Sequence, residues 1–274
     1  MAFPQYSGKQ ELTPYLSPKQ WVAYLRAATG WKGLPPLRGV ILTFSPGFFD
    51  RVCAGPGWHE LESPLTSSHG FYVLGEGASA VGMVGRFGIG APAAANRLED
   101  LAAAGVERFI AIGLAGALQP EMGIGDLVVC TGAVRDDGVS HHYLPGAAQA
   151  LPSAGLTDRL GAALARQGRP LHHGPTWTID APYRETVEEL RHYREQGVLT
   201  VEMEAAALAA VADVRGVEFA AGFTVSDSLA GDSWSPHFED PLVDSGLDLL
   251  VRAAVQTLRA DAYPQGSTQV SRAR

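Results

Sequence analysis

Residues 80–112, AVGMVGRFGIGAPAAANRLEDLAAAGVERFIAI, decide the fold. Residues 80–84 and 108–112 are short apolar runs of the kind that form buried strands. Between them lie a glycine-rich turn and a predicted helix that has Pro92 in its first turn and Gly105 past its end. A strand, a helix and a strand in this order and at this length predict a βαβ unit, in which a right-handed crossover joins parallel strands.

Further strand and helix patterns alternate on both sides of this unit. We predict strands over residues 39–44, 125–133, 198–201 and 217–225, and helices over residues 18–28, 156–168, 186–195, 205–215 and 242–259. This alternation predicts an α/β fold, a single-domain three-layer α/β/α sandwich with a mixed, mostly parallel central sheet. The predicted boundaries are an N-terminal extension over 1–37, a catalytic domain over 38–262 and a flexible tail over 263–274.

Composition and charge exclude several classes of protein. The 274 residues are 46% hydrophobic and 18% charged, which is ordinary for a globular enzyme. A formal net charge of −8 without a long basic run argues against nucleic acid and membrane surfaces as partners. Cys53 and Cys130 are too few for a disulfide framework and lack metal-ligand spacing. We therefore expect a cytoplasmic protein that does not span a membrane.

Two glycine-containing turns follow predicted strands. In Ser45-Pro46-Gly47-Phe48-Phe49-Asp50-Arg51, a glycine lets backbone N–H groups approach an anion and Arg51 adds a forked cationic donor, so phosphate is the expected guest. The alternative is an ordinary turn with a surface arginine. The second turn, residues 85–90, lacks the G-x-G-x-x-G pattern of dinucleotide sites, which disfavours a nicotinamide or flavin cofactor.

Acidic residues follow two other predicted strands. Glu202, Met203 and Glu204 stand at the seam between a strand and a helix, where carboxylates can accept from paired sugar hydroxyls and a thioether can pack against a furanose. The alternative for these acids is helix capping. Ser226-Asp227 ends the last strand, as an acid facing a substrate or as part of a turn. Together the segments describe an anion pocket, a sugar pocket and an acid.

Several of these motifs occur in the order and approximate spacing of the family-1 nucleoside phosphorylases, the purine and uridine phosphorylases. The chain resembles that family over roughly residues 38–260. The two most specific stretches are residues 201–205 and the combination of residues 113–117 with 123–128. The motifs are Pro46-Gly47, Asp50-Arg51-Val52, Gly88-Ile89-Gly90-Ala91-Pro92, Gly113, Ala115-Gly116-Ala117, Gly123-Ile124-Gly125-Asp126-Leu127-Val128, Val201-Glu202-Met203-Glu204-Ala205 and Val225-Ser226-Asp227.

The resemblance implies a pentosyltransferase of nucleoside catabolism and purine salvage that uses phosphate as co-substrate and no cofactor. Gly47 and Arg51 would bind phosphate, and the ribose would lie against Glu202, Met203 and Glu204. Asp227 would protonate or stabilise the departing base, which favours a purine, because uridine phosphorylases usually lack this acid. Trp177, Tyr183 and Ser226 are the remaining base-binding candidates. The family also implies a homo-oligomer, a dimer or a hexamer.

Two positions depart from the family pattern. Where the phosphorylases carry a phosphate-binding Arg and a Ser or Thr, this sequence has Ala111 and Leu114. Arg86 or Arg135 could compensate. The departures keep open a nucleosidase of the same fold, in which water replaces phosphate. A uridine phosphorylase and a non-catalytic nucleoside-binding homologue are further alternatives. His141-His142 lacks a third ligand at metal spacing, so no metal site is predicted.

Overall fold

The computed structural model describes residue 4, residues 6–66 and residues 69–260. The strands within these residues are β1 (Val40–Thr43), β2 (Trp58–Glu60), β3 (Gly70–Leu74), β4 (Val81–Gly85), β5 (Arg108–Ala117), β6 (Leu127–Asp136), β7 (Gln149–Ala150), β8 (Leu171–Ile179), β9 (Thr200–Glu202), β10 (Glu218–Ser228) and β11 (Ser235–Pro236). The α-helices are α1 (Pro18–Thr29), α2 (Pro46–Cys53), α3 (Ala91–Ala103), α4 (Ser140–Tyr143), α5 (Ala154–Ala165), α6 (Val187–Glu195), α7 (Ala205–Arg215) and α8 (Pro241–Arg259).

All of these strands belong to one mixed sheet, in the order β11-β10-β6-β8-β9-β5-β1-β4-β3-β2, with β7 on β6. The long pairings, β10 with β5 and β6 with β8, are parallel, whereas β6 meets β10 over a short antiparallel stretch. Because β10 pairs with β5 as well as β6, strands β5, β10, β6, β8 and β9 close into a ring. The ends of β5, β9 and β10 therefore meet, and this meeting point positions the candidate site.

Helices cover both faces of the sheet, so the predicted three-layer α/β/α architecture is confirmed. Strand side chains alternate between the faces, as the two-residue period of a strand requires. Leu42 packs with helices α3 and α7, and its neighbour Ile41 packs with α2, α5 and α8. The same alternation recurs at Phe109 and Ile110 in β5. The central strands are apolar on both faces because both faces are covered.

Local sequence signals set the helix ends. Ser17 caps α1 in a capping box with Gln20, and Thr186 caps α6 in the same way with Glu189. The helix α7 ends at Gly216, which has φ 68°, a backbone conformation that glycine adopts at little cost. These signals explain why the predicted helices lie within a few residues of the observed ones.

The structure differs from the sequence-based expectations in several respects. The strands β2, β3, β7, β8 and β11 were not predicted, and β5 and β10 continue beyond the predicted strands. In the expected βαβ unit, β4 and β5 do not pair directly, because β1 lies between them and is parallel to both. The expected turn at residues 45–47 is instead the start of α2. The N–H groups near Gly47 therefore belong to a helix N-terminus.

The chain segments outside the central fold are described in part. Val22 and Leu25 of α1 form a small apolar cluster with Leu65, so the described part of the N-terminal extension packs against the predicted catalytic domain. The tail predicted for residues 263–274 lies outside the described residues. Burial raises the pKa of the Cys53 and Cys130 thiols to about 12, so both stay protonated at neutral pH. None of the described helices combines the length and the apolar character needed to cross a bilayer.

Candidate active site

A cavity of about 620 Å³ opens where β5, β9 and β10 end. Its volume is that of a pocket for a small organic molecule. The wall is mainly apolar and aromatic, with carboxylates in a few places. It is formed by Leu114, Ala115, Gly116, Pro182, Tyr183, Glu185, Leu190, Val201, Glu202, Met203, Ser226, Asp227, Leu229, Trp234 and Phe238.

A β-bulge aims Asp227 into this cavity. In the pairing of β10 with β5, Val225 lies opposite Ala115 and Asp227 lies opposite Gly116, so Ser226 is the extra residue. A Cβ at Gly116 would overlap Leu229 Cδ1 and lie 3.0 Å from Asp227 Oδ2, so both residues leave room only for glycine. The carboxylate accepts from Ser226 Oγ at 2.7 Å and from Trp234 Nε1 at 2.8 Å. Asp227 is thus buried and held by a neutral donor on each oxygen.

Glu202 and Glu204 have different environments although one residue separates them. Both oxygens of Glu202 are engaged: one accepts from the Thr178 hydroxyl, and the other accepts from the backbone N–H groups of Glu204 and Ala205 at 2.8 Å. Helix capping, the alternative to sugar binding, thus describes Glu202. The Glu204 carboxylate is buried and accepts from Gly90 N–H at 2.5 Å; Met203, the residue before it, lines the cavity, whereas Glu204 itself is not among the wall residues.

The two carboxyls influence each other electrostatically. Burial raises the pKa of Glu204, and the neighbouring charge of Glu202 raises it further. Burial also raises the pKa of Glu202, although its hydrogen bonds from Thr178 and from the start of α7 act in the opposite direction. Because both acids are buried, a ligand that brings hydrogen-bond donors, such as hydroxyl groups, would stabilise their charged forms.

Glu185 is an acid at the cavity that the sequence did not single out. It follows the 3₁₀ turn Pro182–Arg184 and is half-buried. Burial raises its pKa to about 7, and the charges of Asp227 and Glu189 act in the same direction. The protonation of Glu185 therefore changes near neutral pH, in the wall that also carries Asp227.

The two residues of the candidate anion site, Gly47 and Arg51, are exposed to solvent. Gly47 lies exposed in the first turn of α2, and a Cβ there would meet nothing within 4 Å. Arg51, in the last turn of the same helix, reaches across to α8. Its Nη1 donates to both carboxylate oxygens of Asp248, at 2.8 and 3.1 Å, and its Nη2 lies 3.4 Å from Asp244 Oδ1. An anion at this helix end would compete with these two acids for Arg51.

The two arginines considered as substitutes are placed differently. Arg86 has φ 60° in the glycine-rich turn, and its guanidinium pairs with Asp50 of α2 at 2.6 Å. Arg135 is buried, and all of its N–H groups donate to Ser140 and to the carbonyls of Ser140, Leu144, Pro145 and Ala147. Arg135 therefore holds a loop together and has no donor left for phosphate.

Apolar groups occupy the positions at which the sequence departs from the family pattern. Ala111 is buried in the core, and Leu114 lines the cavity. The Phe44 ring lies so close to Gly113 that a Cβ there would be 3.3 Å from it, and Phe44 also packs edge-on against Phe87. The side chains of Ala111, Leu114 and Phe44 therefore offer an anion no hydrogen-bond donor.

The base-binding candidates from the sequence lie in different surroundings. Trp177 is fully buried and packs against Tyr193, with its Nε1 donating to Asp136 Oδ2 at 3.0 Å. Trp177 is a core residue outside the cavity wall, which does not support the prediction that its ring stacks on a base. Tyr183 lines the cavity and is fully exposed, and Ser226 supports Asp227.

The structure adds Glu185, Trp234 and Phe238 to the wall, and no spacing in the sequence pointed to them. Trp234 and Phe238 lie in the segment that follows β10, where their exposed aromatic rings are 6.1 Å apart. The exposure of two large aromatic rings beside a mainly apolar cavity is the signal that marks them. Among the described residues, no group of His, Cys, Asp and Glu side chains is arranged to hold a metal ion.

Comparison with known proteins gives consistent matches. The family model described as the Phosphorylase superfamily matches residues 38–245. A guanosine phosphorylase from Halorubrum lacusprofundi is 38% identical over 175 residues, covering 63% of this chain and 72% of that protein. A uridine phosphorylase from Haemophilus influenzae is 30% identical over 202 residues, covering 66% and 78%.

Solved structures agree at the level of the fold. The crystal structure of uridine phosphorylase from Vibrio fischeri ES114 superposes with a TM-score of 0.70 at 24% sequence identity, covering 81% of this chain and 92% of that chain. Among the sequence relatives, a purine nucleoside phosphorylase of DeoD type from Bacillus cytotoxicus is 28% identical over 173 residues, covering 62% of this chain and 73% of that protein. The similar proteins thus include purine and pyrimidine enzymes.

Proposed function

The chain belongs to the Phosphorylase superfamily, and we propose that within this family it cleaves the N-glycosidic bond of a purine nucleoside with phosphate, giving the free base and ribose 1-phosphate. One observation supports the purine in particular. The bulge in β10 turns a buried carboxylate, Asp227, into the cavity that Met203 also lines. A departing purine accumulates charge that an acid can neutralise, whereas the site needs no such acid merely to bind.

We assign the chemistry to three groups. Phosphate oxygen forms a bond to the anomeric carbon as the bond to the base breaks, and the electron pair of that bond moves into the purine. Asp227 supplies or stabilises the proton on the imidazole nitrogen of the base, a contribution of about 10²–10⁴-fold in such reactions. Glu204 accepts from the ribose hydroxyls, and Arg51 with the N-terminal turn of α2 holds the anion.

Hydrolysis is the second candidate, and a specific observation favours it. Ala111 and Leu114 supply no donor, and Arg51 is already paired with Asp248 and Asp244. Water would then attack the anomeric carbon and free ribose would leave. We keep phosphorolysis first because the matched relatives in the family are named phosphorylases. We also propose a homo-oligomeric cytoplasmic enzyme without a cofactor, as is expected for the family.

The test is base release from inosine, guanosine, adenosine, uridine and methylthioadenosine, with and without phosphate, with the sugar product identified. Phosphate-dependent release of a purine and ribose 1-phosphate supports the proposal. Free ribose formed without phosphate supports the nucleosidase, and cleavage of uridine alone refutes the purine assignment. We expect Asp227→Asn to lower kcat for the purine substrate by about 10²–10⁴-fold while leaving its KM within a few-fold.

A further inference from the structure

Trp234 lies over the carboxylate that the proposed function makes essential. Its Nε1–H donates to Asp227 Oδ2 at 2.8 Å, while Ser226 Oγ donates to the other oxygen, Oδ1, at 2.7 Å. The Trp234 ring lines the cavity and is 59% exposed, so the residue does not owe its position to burial in the core. Indole N–H groups generally find hydrogen-bond partners when the ring is buried. A hydrogen bond from an exposed tryptophan to a buried acid is therefore unusual.

The backbone holds Trp234 in this position. After β10 the chain loops out and returns as β11, in which Ser235 pairs with Ser228 and Pro236 with Asp227. The N–H of His237 donates to the carbonyl of Ser226 at 3.0 Å, which fixes the return. The loop thus brings an indole N–H back onto the acid that ends the strand before it.

The contacts restrict the carboxylate on three sides. Gly116 lies against Oδ2, Ser226 holds Oδ1, and Trp234 closes the remaining side. Each carboxylate oxygen can accept more than one hydrogen bond, so each keeps a site for a substrate proton. Without the indole N–H, the carboxylate could rotate away from Gly116, and the charged form of the acid would lose one donor.

We propose that Trp234 is a positioning residue that acts through Asp227, orienting its carboxylate toward the imidazole nitrogen of the departing purine. This inference rests on the proposed function. It makes a prediction that a simple wall residue would not satisfy. The contribution of Trp234 depends on whether the leaving base needs a proton.

Methylation of the imidazole nitrogen provides the test, because an N7-methylated purine nucleoside carries its positive charge already and needs no proton to leave. The quantity measured is the ratio of kcat/KM for N7-methylguanosine to kcat/KM for guanosine, or the same pair for inosine if wild type prefers it. Trp234→Phe keeps an aromatic wall and removes only the N–H. We expect this variant to raise the ratio about tenfold, the low end for a hydrogen bond to a charged group.

Phe238→Leu is the matched control. Phe238 is a neighbouring exposed aromatic wall residue without a hydrogen-bond donor, and we expect its loss to change kcat/KM for both substrates by the same factor. Asp227→Asn should raise the ratio more than Trp234→Phe does. Adding Trp234→Phe to Asp227→Asn should then lower guanosine cleavage no further, because the two residues act as one unit.

The outcomes separate the inference from the function on which it rests. If Asp227→Asn raises the ratio and Trp234→Phe leaves it unchanged, the positioning role is refuted and the function stands. If neither variant changes the ratio, the positioning role and the proton-donor role of Asp227 are both refuted, and if wild type cleaves no purine nucleoside, the proposed function is refuted with them. A Trp234→Phe protein that loses activity equally on both substrates, with unaltered thermal stability, identifies Trp234 as a wall residue and overturns the inference.

Discussion

Removing the acid that holds Arg51 should strengthen phosphate binding. Arg51 donates two hydrogen bonds to Asp248, at 2.8 and 3.1 Å, and the two side chains are 46% and 37% exposed. An exposed pair of this kind is worth about 0.2–1 kcal/mol, and phosphate must give up that energy to recruit the guanidinium. In Asp248→Asn we therefore expect the phosphate KM to fall by about two- to fivefold, the upper part of that range because Nη1 of Arg51 contacts both carboxylate oxygens of Asp248.

Steady-state kinetics at varied phosphate and saturating nucleoside measure this effect. The nucleoside KM, and kcat at saturating phosphate, should stay within about twofold, since only the anion competes with Asp248. Asp244→Asn gives a graded comparison, because Asp244 is more exposed and its single contact is 3.4 Å long, so its effect should be smaller. Glu218→Gln removes a remote, partly exposed ion pair with Arg159 and should leave the phosphate KM unchanged.

An unchanged or higher phosphate KM in Asp248→Asn would refute the reasoning, and with it the assignment of Arg51 to the anion. The same holds if Asp248→Asn acts equally in an Arg51→Gln background, because the pair would then not be the route of the effect. A nucleosidase gives a separate result, since base release would not depend on phosphate in any of the variants.

Three further predictions concern buried groups of the site and core. Glu204→Gln should lower kcat/KM about 10- to 150-fold through loss of a charged acceptor for the ribose hydroxyls; a loss below threefold would contradict the sugar-binding role. Because the pKa of Glu185 is raised to about 7, the folded protein keeps a proton that the unfolded chain releases at lower pH, so wild type loses stability as pH rises from about 4.5 to 7. The Tm of Glu185→Gln should equal that of wild type at pH 4 and exceed it above pH 7 by about 1–2 °C, since solvent screens this half-buried group; a difference independent of pH would contradict the assignment. Trp177→Phe should lower the free energy of unfolding by about 1–3 kcal/mol in denaturant titrations, chiefly because the smaller ring leaves a cavity in the core, with the nucleoside KM unchanged. Tyr183→Ala should instead raise that KM and leave stability unchanged, and the reverse pattern would restore Trp177 to the base site.

Local signals explain which parts of the fold could be predicted. The strand β1 and the helices α3 and α7 have clear apolar periods and breaker residues at their ends, and each was predicted within a few residues. The strand β8 was missed because its sequence, LHHGPTWTI, contains two adjacent histidines, a glycine and a proline. Its strand conformation comes from pairing with β6 and β9, which is a tertiary effect that local sequence does not carry.

The candidate site divides in the same way. Asp227 and the pair at 202 and 204 were predicted because each directly follows an apolar run at a strand end. The partners that decide what these residues can do lie far along the chain: Arg51 and Asp248 are 197 residues apart, and Gly90 and Glu204 are 114 apart. The residue type at a strand end predicts which chemistry the side chain can perform. Only the fold shows which hydrogen-bond partners that side chain already has.

The two acids at 202 and 204 show how a structural group becomes part of the electrostatics of a site. Glu202 caps the start of α7, which the sequence offered as the alternative to sugar binding, and its charge is held there by Thr178 and two backbone N–H groups. That fixed charge raises the pKa of Glu204 on top of the effect of burial. An apo site with Glu204 protonated would gain a negative charge when ribose hydroxyls donate to it, because donors stabilise the ionised form. Nucleoside binding near neutral pH should then release protons to the buffer, because burial first and the neighbouring Glu202 second favour the protonated form of Glu204 in the empty site.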